Sequence, residues 1–417
     1  MRQRVQVDGE ILRIGEVTFN LGEIDRICVL GAGKASAAMA QTLENILGER
    51  IDNGCVITKY GHSVGCRRIR IREAGHPLAD VNGLAATSEI LDLAGTLGES
   101  DLAIMLISGG GSALLEFLPE SIPLDDARET IRLLMHAGAD ITALNTVRKH
   151  LSLVKGGQLA RARVPCPSIT LLISDVIGDP LDLIASGPTV ADPSSFLDAW
   201  RIIERFDLNE QAPQSVVRHL QRGMSGDIPE TPKPGDPIFS LAHHCIVANN
   251  QIALDAAHLK AESLGYHSSV ESTVIQGEAS EFGAALAETV RQLMAEPKPD
   301  QRPTCLLFGG ETTVTVRGTG TGGRCQETAL AALAGLWNTG GDYVIAACGT
   351  DGTDGPTEAA GGIASPEVVR RARELHLTPG DSLARSDSYS FLRRADGLII
   401  TGPTGTNVMD IYLALIP

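Results

Sequence analysis

The stretch RICVLGAGKASAAMAQTLENILG, residues 26–48, decides the fold class. RICVL is a continuous apolar run of strand length, which is typical of a strand that is buried on both faces. Met39, Leu43 and Leu47 then recur at helical spacing, and Gly48 marks the end of the helix. The glycine-rich segment in between connects these two elements. The stretch therefore predicts a strand, a tight turn and an amphipathic helix.

The same order of elements returns along the chain. Apolar runs that end in Gly, Ser, Asp or Glu recur in DLAIMLISGGGSALL, SITLLISDVIGDP, TCLLFGGETTVTV, YVIAACGTDGTDGP and GLIITGPTGTNVMD. Helical segments lie between them, such as LNTVRKHLSLVKGGQLA, in which Leu144, Val147 and Val154 share one face. Buried strands that alternate with helices predict α/β layers with largely parallel sheets. The first 25 residues alternate in short segments and predict a hairpin.

The length of 417 residues predicts two domains. The segment MSGDIPETPKPGDPIF, residues 224–239, is polar and rich in proline and has no periodicity, so it is the best candidate for a linker. We therefore predict an N-terminal α/β domain over residues 1–235 and a smaller C-terminal α/β domain over residues 236–417.

The charge balance excludes some classes of partner. The formal net charge is −16, from 35 basic and 51 acidic side chains, and such a surface repels nucleic acid and anionic lipid. The longest apolar runs are too short to span a bilayer. We therefore expect a soluble protein with no nucleic-acid or membrane partner, in which an anionic substrate is bound by a local cationic pocket.

Cysteine and histidine give little support for a metal centre. The eight cysteines are scattered and form no C-x-x-C motif, which favours buried reduced thiols and a cytoplasmic location. His76 and His150 could be ligands, but a hydrogen-bonded structural histidine is the more common case.

The turn GAGKAS, residues 31–36, resembles nucleotide-binding loops only in part. Positions 28 and 35 exclude a P-loop, and Ser36 replaces the third glycine of a dinucleotide fingerprint, of which only Gly31 and Gly33 remain. A glycine turn at the start of a helix, with Lys34 in its first turn, nevertheless attracts an anion. The alternative is an ordinary tight turn with a solvated lysine.

The segment SGGGS offers consecutive backbone N–H groups in a turn from a strand to a helix. Ser108, Gly109, Gly110, Gly111 and Ser112 could form an anion-binding nest. The alternative is a glycine turn that allows close packing.

Paired carboxylates follow two of the predicted strands. Asp175 and Asp179 lie in SDVIGDP, Asp351 and Asp354 lie in GTDGTDGP, and Glu311 follows a third strand. Mg²⁺ usually takes one or two carboxylates and completes its shell with water and phosphate, so these residues are candidate metal ligands. The alternative is that the aspartates cap turns and helices, as short acidic side chains often do.

The run RGTGTGGRCQE, residues 317–327, places glycines next to positive charge. Gly322 and Gly323 let the backbone approach a phosphate closely, and Arg324 can present a bidentate fork to phosphoryl oxygens. A hairpin turn with incidental arginines is the alternative. Together with the anion nests, Lys34 and the acidic pairs, this run favours phosphoryl transfer, which depends on positioning and charge neutralisation.

The chain resembles the glycerate 2-kinases that carry a MOFRL-type C-terminal domain. The resemblance rests on GAGKASAAMA, EAGHPLAD, LISGGGSALL, NTVRKHLSLVKGGQLA, LLISDVIGDPLDLIASGPTVADP, GGETTVTVRGTGTGGR, GTDGTDGPTEAAGG and GPTGTNVMD, in this order. It implies a Rossmann-like N-terminal domain, a smaller C-terminal domain and an active site in the cleft between them. It also implies ATP-dependent phosphorylation of D-glycerate to 2-phosphoglycerate with Mg²⁺ or another divalent cation.

The resemblance also implies roles for particular residues. The catalytic lysine and arginine of the family fall on Lys34 and Arg324. We expect Arg148 or Lys155 to receive the glycerate carboxylate with the amides of residues 109–111, and one aspartate to accept the proton of the attacking hydroxyl. Thr404 and Asn407, in the last glycine-rich loop, are further candidates for binding substrate or phosphate.

The chain departs from the family pattern in two places. Cys325 stands where Asn usually follows GGR, which could weaken binding of phosphate or substrate. The chain also begins without the further helix of its relatives. Either that segment is dispensable, or its loss exposes apolar surface that a partner subunit covers, so a homodimer is one expected assembly.

Two alternative functions compete with the kinase. One is an NAD(P)H-dependent hydroxypyruvate reductase, which the incomplete dinucleotide fingerprint disfavours. The other is a non-catalytic sensor of a phosphorylated acid, which would not need the acidic residues suited to a metal.

Overall fold

The stretch quoted first folds as predicted. Ile27–Ala32 form a fully buried strand, and Ser36–Leu47 form a helix that Gly48 ends with a φ of +60°. Met39, Leu43 and Leu47 are buried on one side of that helix. The apolar spacing of this stretch therefore specified both elements.

A computed structural model describes residues 1–295 and 302–417. The chain divides into two compact units, Met1–Val247 and Ala248–Pro417. Within the described residues, every helix is too short or too polar to cross a bilayer. The α/β fold class predicted from the sequence is confirmed.

The first unit contains nine strands in two sheets. The strands are β1 (Val5–Asp8), β2 (Ile11–Ile14), β3 (Val17–Asn20), β4 (Ile27–Ala32), β5 (Asn53–Lys59), β6 (Ile69–Ala74), β7 (Leu102–Ile107), β8 (Ser168–Ile173) and β9 (Ala242–Ala248). The first three form an antiparallel sheet, which extends the predicted hairpin by one strand. The others form a sheet of order β6-β5-β4-β7-β8-β9, in which the pairs from β6 to β8 are parallel.

Eight helices surround the sheets of the first unit. They are α1 (Ser36–Leu47), α2 (Val81–Gly95), α3 (Gly111–Leu114), α4 (Leu124–His136), α5 (Ile141–Leu151), α6 (Gln158–Ala162), α7 (Phe196–Arg205) and α8 (Gln214–Met224). Helix α5 ends at Leu151, earlier than the shared apolar face predicted, and the backbone of Ser152 is already extended. Val154 consequently packs with the core under the sheet, whereas Val147 packs among the helices.

The second unit is built on one six-stranded sheet. Its strands are β10 (His267–Ile275), β11 (Thr304–Gly310), β12 (Val344–Gly349), β13 (Gly361–Ala364), β14 (Leu398–Ile399) and β15 (Asp410–Ile416). Its helices are α9 (Asn250–Ser263), α10 (Ala279–Ala295), α11 (Arg324–Gly335), α12 (Pro366–Glu374), α13 (Pro379–Ala384) and α14 (Ser388–Arg394). Helix α11 is buried along most of its length in the core of this unit.

The second sheet corrects the prediction of largely parallel sheets. Its order is β10-β11-β15-β12-β13-β14, and among these described strands β10 and β11 are the one parallel pair. The reason is that β15 lies between β11 and β12 and runs antiparallel to both. A continuous apolar run does not reveal this direction, because strands buried on both faces look alike in either orientation.

The proline-rich segment 224–239 packs onto the first unit. The hydroxyl of Thr231 donates to Asp192 Oδ2 at 3.0 Å, and the N–H of Asp192 donates to the carbonyl of Pro232 at 2.9 Å. Strand β9 then joins the six-stranded sheet of the first unit. The compact units consequently divide after residue 247, beyond the sequence-based boundary at 235.

Candidate active site

The carboxyl ends of β4 and β7 form the switch point of the six-stranded sheet in the first unit. Strand β4 has β5 on one side and β7 on the other, so the chain continues from these two neighbours toward opposite halves of the sheet. Ligands of open α/β sheets bind in the crevice at such a reversal. Gly31 lies within β4, and the segment 108–112 follows β7. The two glycine segments of the sequence therefore meet where a ligand is expected.

Hydrogen bonds join these two segments directly. The N–H of Lys34 donates to the carbonyl of Gly109 at 2.8 Å, and the N–H of Ala35 donates to Ser108 Oγ at 3.0 Å. The anion site predicted on this turn relied on free N–H groups, and these two are engaged inside the protein. What the turn offers a ligand is therefore the ammonium group of Lys34.

Two glycines of the segments are required by close approach. Gly33 has a φ of +146°, and a Cβ there would overlap Ser108 Oγ. A Cβ on Gly109 would overlap the carboxylate of Asp175. The glycines thus bring the ends of three neighbouring strands, β4, β7 and β8, into contact.

Lys34 faces an acid and a neutral histidine. Its Nζ lies 4.0 Å from Asp175 Oδ2, and the two side chains are 24% and 19% exposed. Gly110 lies against both the ring of His76 and the stem of Lys34. Burial, followed by the charges of Lys34 and Lys59, lowers the pKa of His76 to about 4. The imidazole is therefore neutral at pH 7 and adds no charge to the site.

Asp179, the other carboxylate predicted on this loop, occupies a half-buried turn with a left-handed backbone. Its φ is +54°, and its N–H donates to the carbonyl of Val176 at 3.1 Å. The structure thus gives Asp175 and Asp179 different surroundings although they are close in sequence.

A hydrogen-bond chain connects the second glycine segment to helix α5. The hydroxyls of Ser112 and Ser186 lie 2.8 Å apart, and Ser186 donates to Asn145 Oδ1 at 2.9 Å. Arg148 Nη1 lies 3.5 Å from the same oxygen. Ser186 is fully buried and has a φ of +61°, a backbone conformation that a non-glycine residue rarely adopts. These hydrogen bonds fix Ser112 and Arg148 relative to each other.

The structure separates the two cations predicted to receive a carboxylate. Lys155 is fully buried, its Nζ lies 2.6 Å from Glu116 Oε2, and it donates to the carbonyl of Leu115 at 3.0 Å. Burial lowers the pKa of Lys155, and Glu116 opposes that shift. Because its ammonium group is committed to these partners, Lys155 is placed as a structural residue. Arg148 is the cation that remains available to a ligand.

Arg324 begins helix α11 and lies between two carboxylates. Its Nε and Nη2 donate to Asp410 at 2.6 and 2.9 Å, and its Nη1 lies 2.6 Å from Glu311 Oε1. The hydroxyl of Tyr412 donates to Asp410 Oδ2 at 3.1 Å. Burial alone would lower the pKa of Arg324, but the hydrogen bonds and charges of Asp410 and Glu311 raise it well above its usual range. The guanidinium is thus permanently charged and fixed in orientation.

Asp354 caps helix α11. Its carboxylate accepts the N–H of Cys325 at 3.2 Å, the N–H of Gln326 at 2.8 Å and the side-chain amide of Gln326 at 3.0 Å. A Cβ on Gly323, the residue before the helix, would overlap Asp354, and one on Gly322 would overlap a neighbouring hydroxyl. Burial raises the pKa of Asp354 against these hydrogen bonds. Its position supports the capping alternative and argues against a metal role.

Cys325, where the chain departs from the family pattern, points into the core of the second unit. It is fully buried, and burial raises the pKa of its thiol well above the ordinary value. The side chain at this position is therefore a packing residue in this protein.

The two remaining predicted residues of the second unit lie in adjoining loops. The hydroxyl of Thr404 donates to the carbonyl of Thr350 at 2.6 Å, and its N–H donates to the carbonyl of Asp351 at 3.2 Å. Asn407 Oδ1 accepts the N–H of Met409 at 3.2 Å. These hydrogen bonds shape the loops after β12 and β14, and those of Thr404 connect its loop to Thr350 and Asp351.

The carboxylates fit a metal only together with a ligand. Within residues 1–295 and 302–417, acidic, histidine and cysteine side chains form no group of three that could hold a metal ion. Mg²⁺ commonly binds one or two carboxylates and takes its other oxygens from phosphate and water. Asp175, beside Lys34, and Asp351, at the end of β12, suit that arrangement better than Asp354 or Glu311.

Sequence reasoning missed the partners of the predicted cations. They are Asp410 for Arg324, Glu116 for Lys155, and Asn145 and Ser186 for Arg148 and Ser112. Asp410 had a signal in the sequence, because it is a single acid at the start of the apolar run IYLALI, and a buried acid needs a partner. Glu116 and Ser186 carry no such signal, since each is distant along the chain from its partner, whereas Asn145 lies one helical turn before Arg148.

Comparisons with known proteins match both units. Residues 1–221 match the family described as a domain of unknown function, DUF4147, and residues 304–410 match the MOFRL family. A glycerate 2-kinase from Pyrococcus horikoshii is 42% identical over 94% of this chain and 87% of its own length. A protein from Agrobacterium vitis, provisionally named hydroxypyruvate reductase, is 40% identical over 94% of this chain and 87% of its own length.

A solved structure supports the same relationship. The crystal structure of glycerate kinase from Thermotoga maritima has a TM-score of 0.87 and 39% identity, and it covers 94% of this chain and 92% of its own. The chain belongs to the glycerate kinase family, whose second domain is of the MOFRL type.

Proposed function

We propose that this protein is a glycerate 2-kinase, which transfers the γ-phosphoryl group of ATP to the 2-hydroxyl group of D-glycerate and forms 2-phosphoglycerate and ADP. The observation that carries this proposal is the 42% identity, across 94% of the chain, to a relative with that name. The chemistry of the residues agrees, because phosphoryl transfer requires fixed positive charge and positioning more than covalent catalysis.

Lys34 and Arg324 neutralise the charge of the transferring phosphoryl group in this proposal. Among the described residues, Asp175 is the one acid within 4.0 Å of the Lys34 ammonium group, so this group can turn toward a phosphate oxygen. Arg324 donates two hydrogen bonds to Asp410 through Nε and Nη2, and its third nitrogen, Nη1, contacts Glu311. That third nitrogen reaches a phosphate oxygen once Glu311 moves aside.

Arg148 receives the carboxylate of glycerate, together with Ser112 and the amides of residues 109–111. Arg148 and Ser112 belong to one hydrogen-bond chain through Asn145 and Ser186, so the acceptor is held in a fixed orientation. Mg²⁺, when bound, would offset the charge of the β- and γ-phosphoryl oxygens, and Asp175 and Asp351 are the carboxylates that suit it.

We also propose a cytoplasmic location, since all eight cysteines are free thiols. The homodimer expected from the sequence stays a prediction, and sedimentation equilibrium would measure it. No nucleic-acid partner is proposed, because the net charge is −16.

A coupled assay of ADP formation tests the proposed function. ADP should form only when ATP, a divalent cation and D-glycerate are all present, and phosphorus NMR should show the phosphate on the 2-hydroxyl group. L-glycerate and an assay with added EDTA serve as controls. A glycerate-independent ATPase, or a product phosphorylated on the 3-hydroxyl, would contradict the proposal.

The name of the Agrobacterium vitis relative makes hydroxypyruvate reduction the second candidate. Oxidation of NADH or NADPH in the presence of hydroxypyruvate, followed by absorbance, tests it directly. We expect no oxidation above the rate without enzyme, because Ser36 stands where the dinucleotide fingerprint needs its third glycine.

A further inference from the structure

A cavity of about 170 Å³ lies in the first unit beside the segment 108–112. Its polar and charged lining residues are Ser112, Glu116, Arg128 and Arg148. The rest of the wall is largely apolar and includes Leu118, Leu124, Ala127, Ile131, Met135 and Leu151. The lining thus combines charged side chains with an apolar part, to which helix α4 contributes Leu124, Ala127 and Ile131.

Arg148 is the cation of this cavity that lacks an ionic partner. Arg128, which also lines it, donates Nε to the carbonyl of Ala79 at 2.7 Å and Nη1 to Asp125 Oδ1 at 3.0 Å. Glu116 lies 2.6 Å from Lys155 and accepts the hydroxyl of Ser152 at 2.7 Å.

Across the described ranges, by contrast, no carboxylate lies within 4.0 Å of the guanidinium of Arg148, whose hydrogen bond to Asn145 is long at 3.5 Å. Burial lowers the pKa of Arg148, and the charge of Glu116 only partly opposes this. A half-buried guanidinium without an ionic partner loses part of its hydration, which indicates that an anion completes the site.

The apolar wall narrows the class of that anion. With its carboxylate on Arg148, glycerate must direct its hydroxyl groups away from this wall, because they would lose hydrogen bonds with water against leucine, isoleucine and methionine side chains. Aliphatic carbons, in contrast, gain free energy from burial there. An apolar cavity of 150 Å³ accommodates benzene, so 170 Å³ is enough for a carboxylate and a short alkyl chain.

We propose that this cavity binds aliphatic monocarboxylates of four to six carbons, with the carboxylate on Arg148 and the alkyl chain among Leu124, Ala127 and Ile131. Such acids would compete with the hydroxy acid substrate and inhibit the enzyme. The inhibition rests on the proposed function, whereas the binding does not.

Titration calorimetry of the full chain with butanoate, pentanoate and hexanoate tests the binding without any reaction. Each added methylene group should tighten binding about fourfold, given the usual gain for burying one such group. Hexanol, which has the same chain without the charge, should bind at least tenfold more weakly than hexanoate. Absence of binding, or affinity that does not depend on chain length, would overturn the proposal.

Variants locate the ligand. Arg148→Met keeps most of the side-chain volume and should weaken hexanoate binding at least tenfold. Ala127→Phe places a large side chain in the apolar part of the lining and should weaken the binding of hexanoate more than that of butanoate. Arg132→Ala is the matched control, because Arg132 lies on the same helix as Ala127, pairs with Glu129 on the surface and does not line the cavity.

The kinase assay separates this inference from the proposed function. Hexanoate has no hydroxyl group to phosphorylate, so it should raise the apparent KM for glycerate and leave kcat unchanged. If glycerate is phosphorylated while hexanoate neither binds nor inhibits, the inference fails and the kinase stands. If hexanoate binds through Arg148 while glycerate is not phosphorylated, the binding site stands and the kinase fails.

Discussion

The two predicted catalytic cations have opposite surroundings. Lys34 has one acid at 4.0 Å and a side chain that is 24% exposed. Arg324 contacts two carboxylates, both at 2.6 Å, and one of them, Asp410, is fully buried. Formal charges sum to zero around Lys34 with Asp175, but to −1 around Arg324 with Asp410 and Glu311.

The difference shows two ways of holding a cation for phosphate. The lysine is mobile and ready to pair with an anion, because its stem is flexible and its charge is compact. The arginine is fixed in orientation, but one of its two acids must give way before phosphate can bind. Removal of Arg324 should therefore affect both folding and turnover, whereas removal of Lys34 should affect turnover alone.

Arg324→Ala should have the largest effect. We expect kcat to fall about 10³-fold, as when an arginine that stabilises phosphoryl transfer is removed, and Tm to fall as well, because Asp410 stays buried without its partner. Steady-state ADP formation and thermal unfolding measure the two effects. Arg370→Ala, which removes an exposed arginine paired on the surface, is the control. A variant with normal Tm and normal kcat would remove Arg324 from both roles.

Lys34→Ala should lower kcat about 10²-fold, an effect of the size seen when one electrostatic contact to a transition state is lost. The Tm should stay within about 1 °C of wild type, since the ion pair with Asp175 is long and partly exposed. Parallel kinetics and thermal unfolding check this contrast with Arg324. The variant Lys260→Ala, at an exposed lysine, serves as control. A large fall in Tm for Lys34→Ala would contradict the prediction that, of the two cations, only Arg324 also supports folding.

Glu311→Gln sharpens the comparison further. Loss of one carboxylate should bring the formal charge around Arg324 from −1 to zero and lower the KM for ATP about fivefold, a change of about 1 kcal/mol that is typical of an exposed ion pair. Titration with Mg²⁺ distinguishes this from the metal role predicted for Glu311. A large rise in the Mg²⁺ concentration needed for half-maximal activity would restore Glu311 to the metal site.

Substitution of His76, the neutral histidine beside Lys34, should have the smallest effect, and this effect is on stability. The folded pKa of His76 is about 4, below the value of about 6.5 in an unfolded chain, so the unfolded state binds more protons between these two pH values. The free energy of unfolding should consequently fall as the pH is lowered from 6.5 to 4. His76→Gln should reduce the slope of Tm against pH in that range and leave Tm at pH 7.5 almost unchanged, whereas an identical slope in both proteins would show that His76 does not titrate this way.

The first unit was more predictable than the second for a physical reason. In the first unit, β4, β7 and β8 are apolar on both faces and are separated by helices, which leaves few arrangements besides a parallel sheet. In the second unit, β15 pairs with strands far earlier in the chain. No local pattern encodes that pairing.

The chemistry of the site was predictable by residue type but not by partner. Lys34 and Arg324 stood out because cations beside glycines are unusual. The same reasoning could not separate Asp354, which caps α11, from Asp351, because short acids in glycine loops serve both purposes. It also could not separate Lys155 from Arg148, since only the fold shows that Glu116 lies 2.6 Å from Lys155.

The central position of β15 has a consequence for the order of folding. Strands β11 and β12 are separated by this strand, so the middle of the second sheet cannot assemble until a segment far later in the chain has docked between them. Contacts of such high sequence separation form slowly, and the pairing of β15 with β11 spans more of the chain than the pairing of β4 with β5 or β7. The second unit should therefore reach its native state after the first, and Arg324 remains without Asp410 until that final insertion.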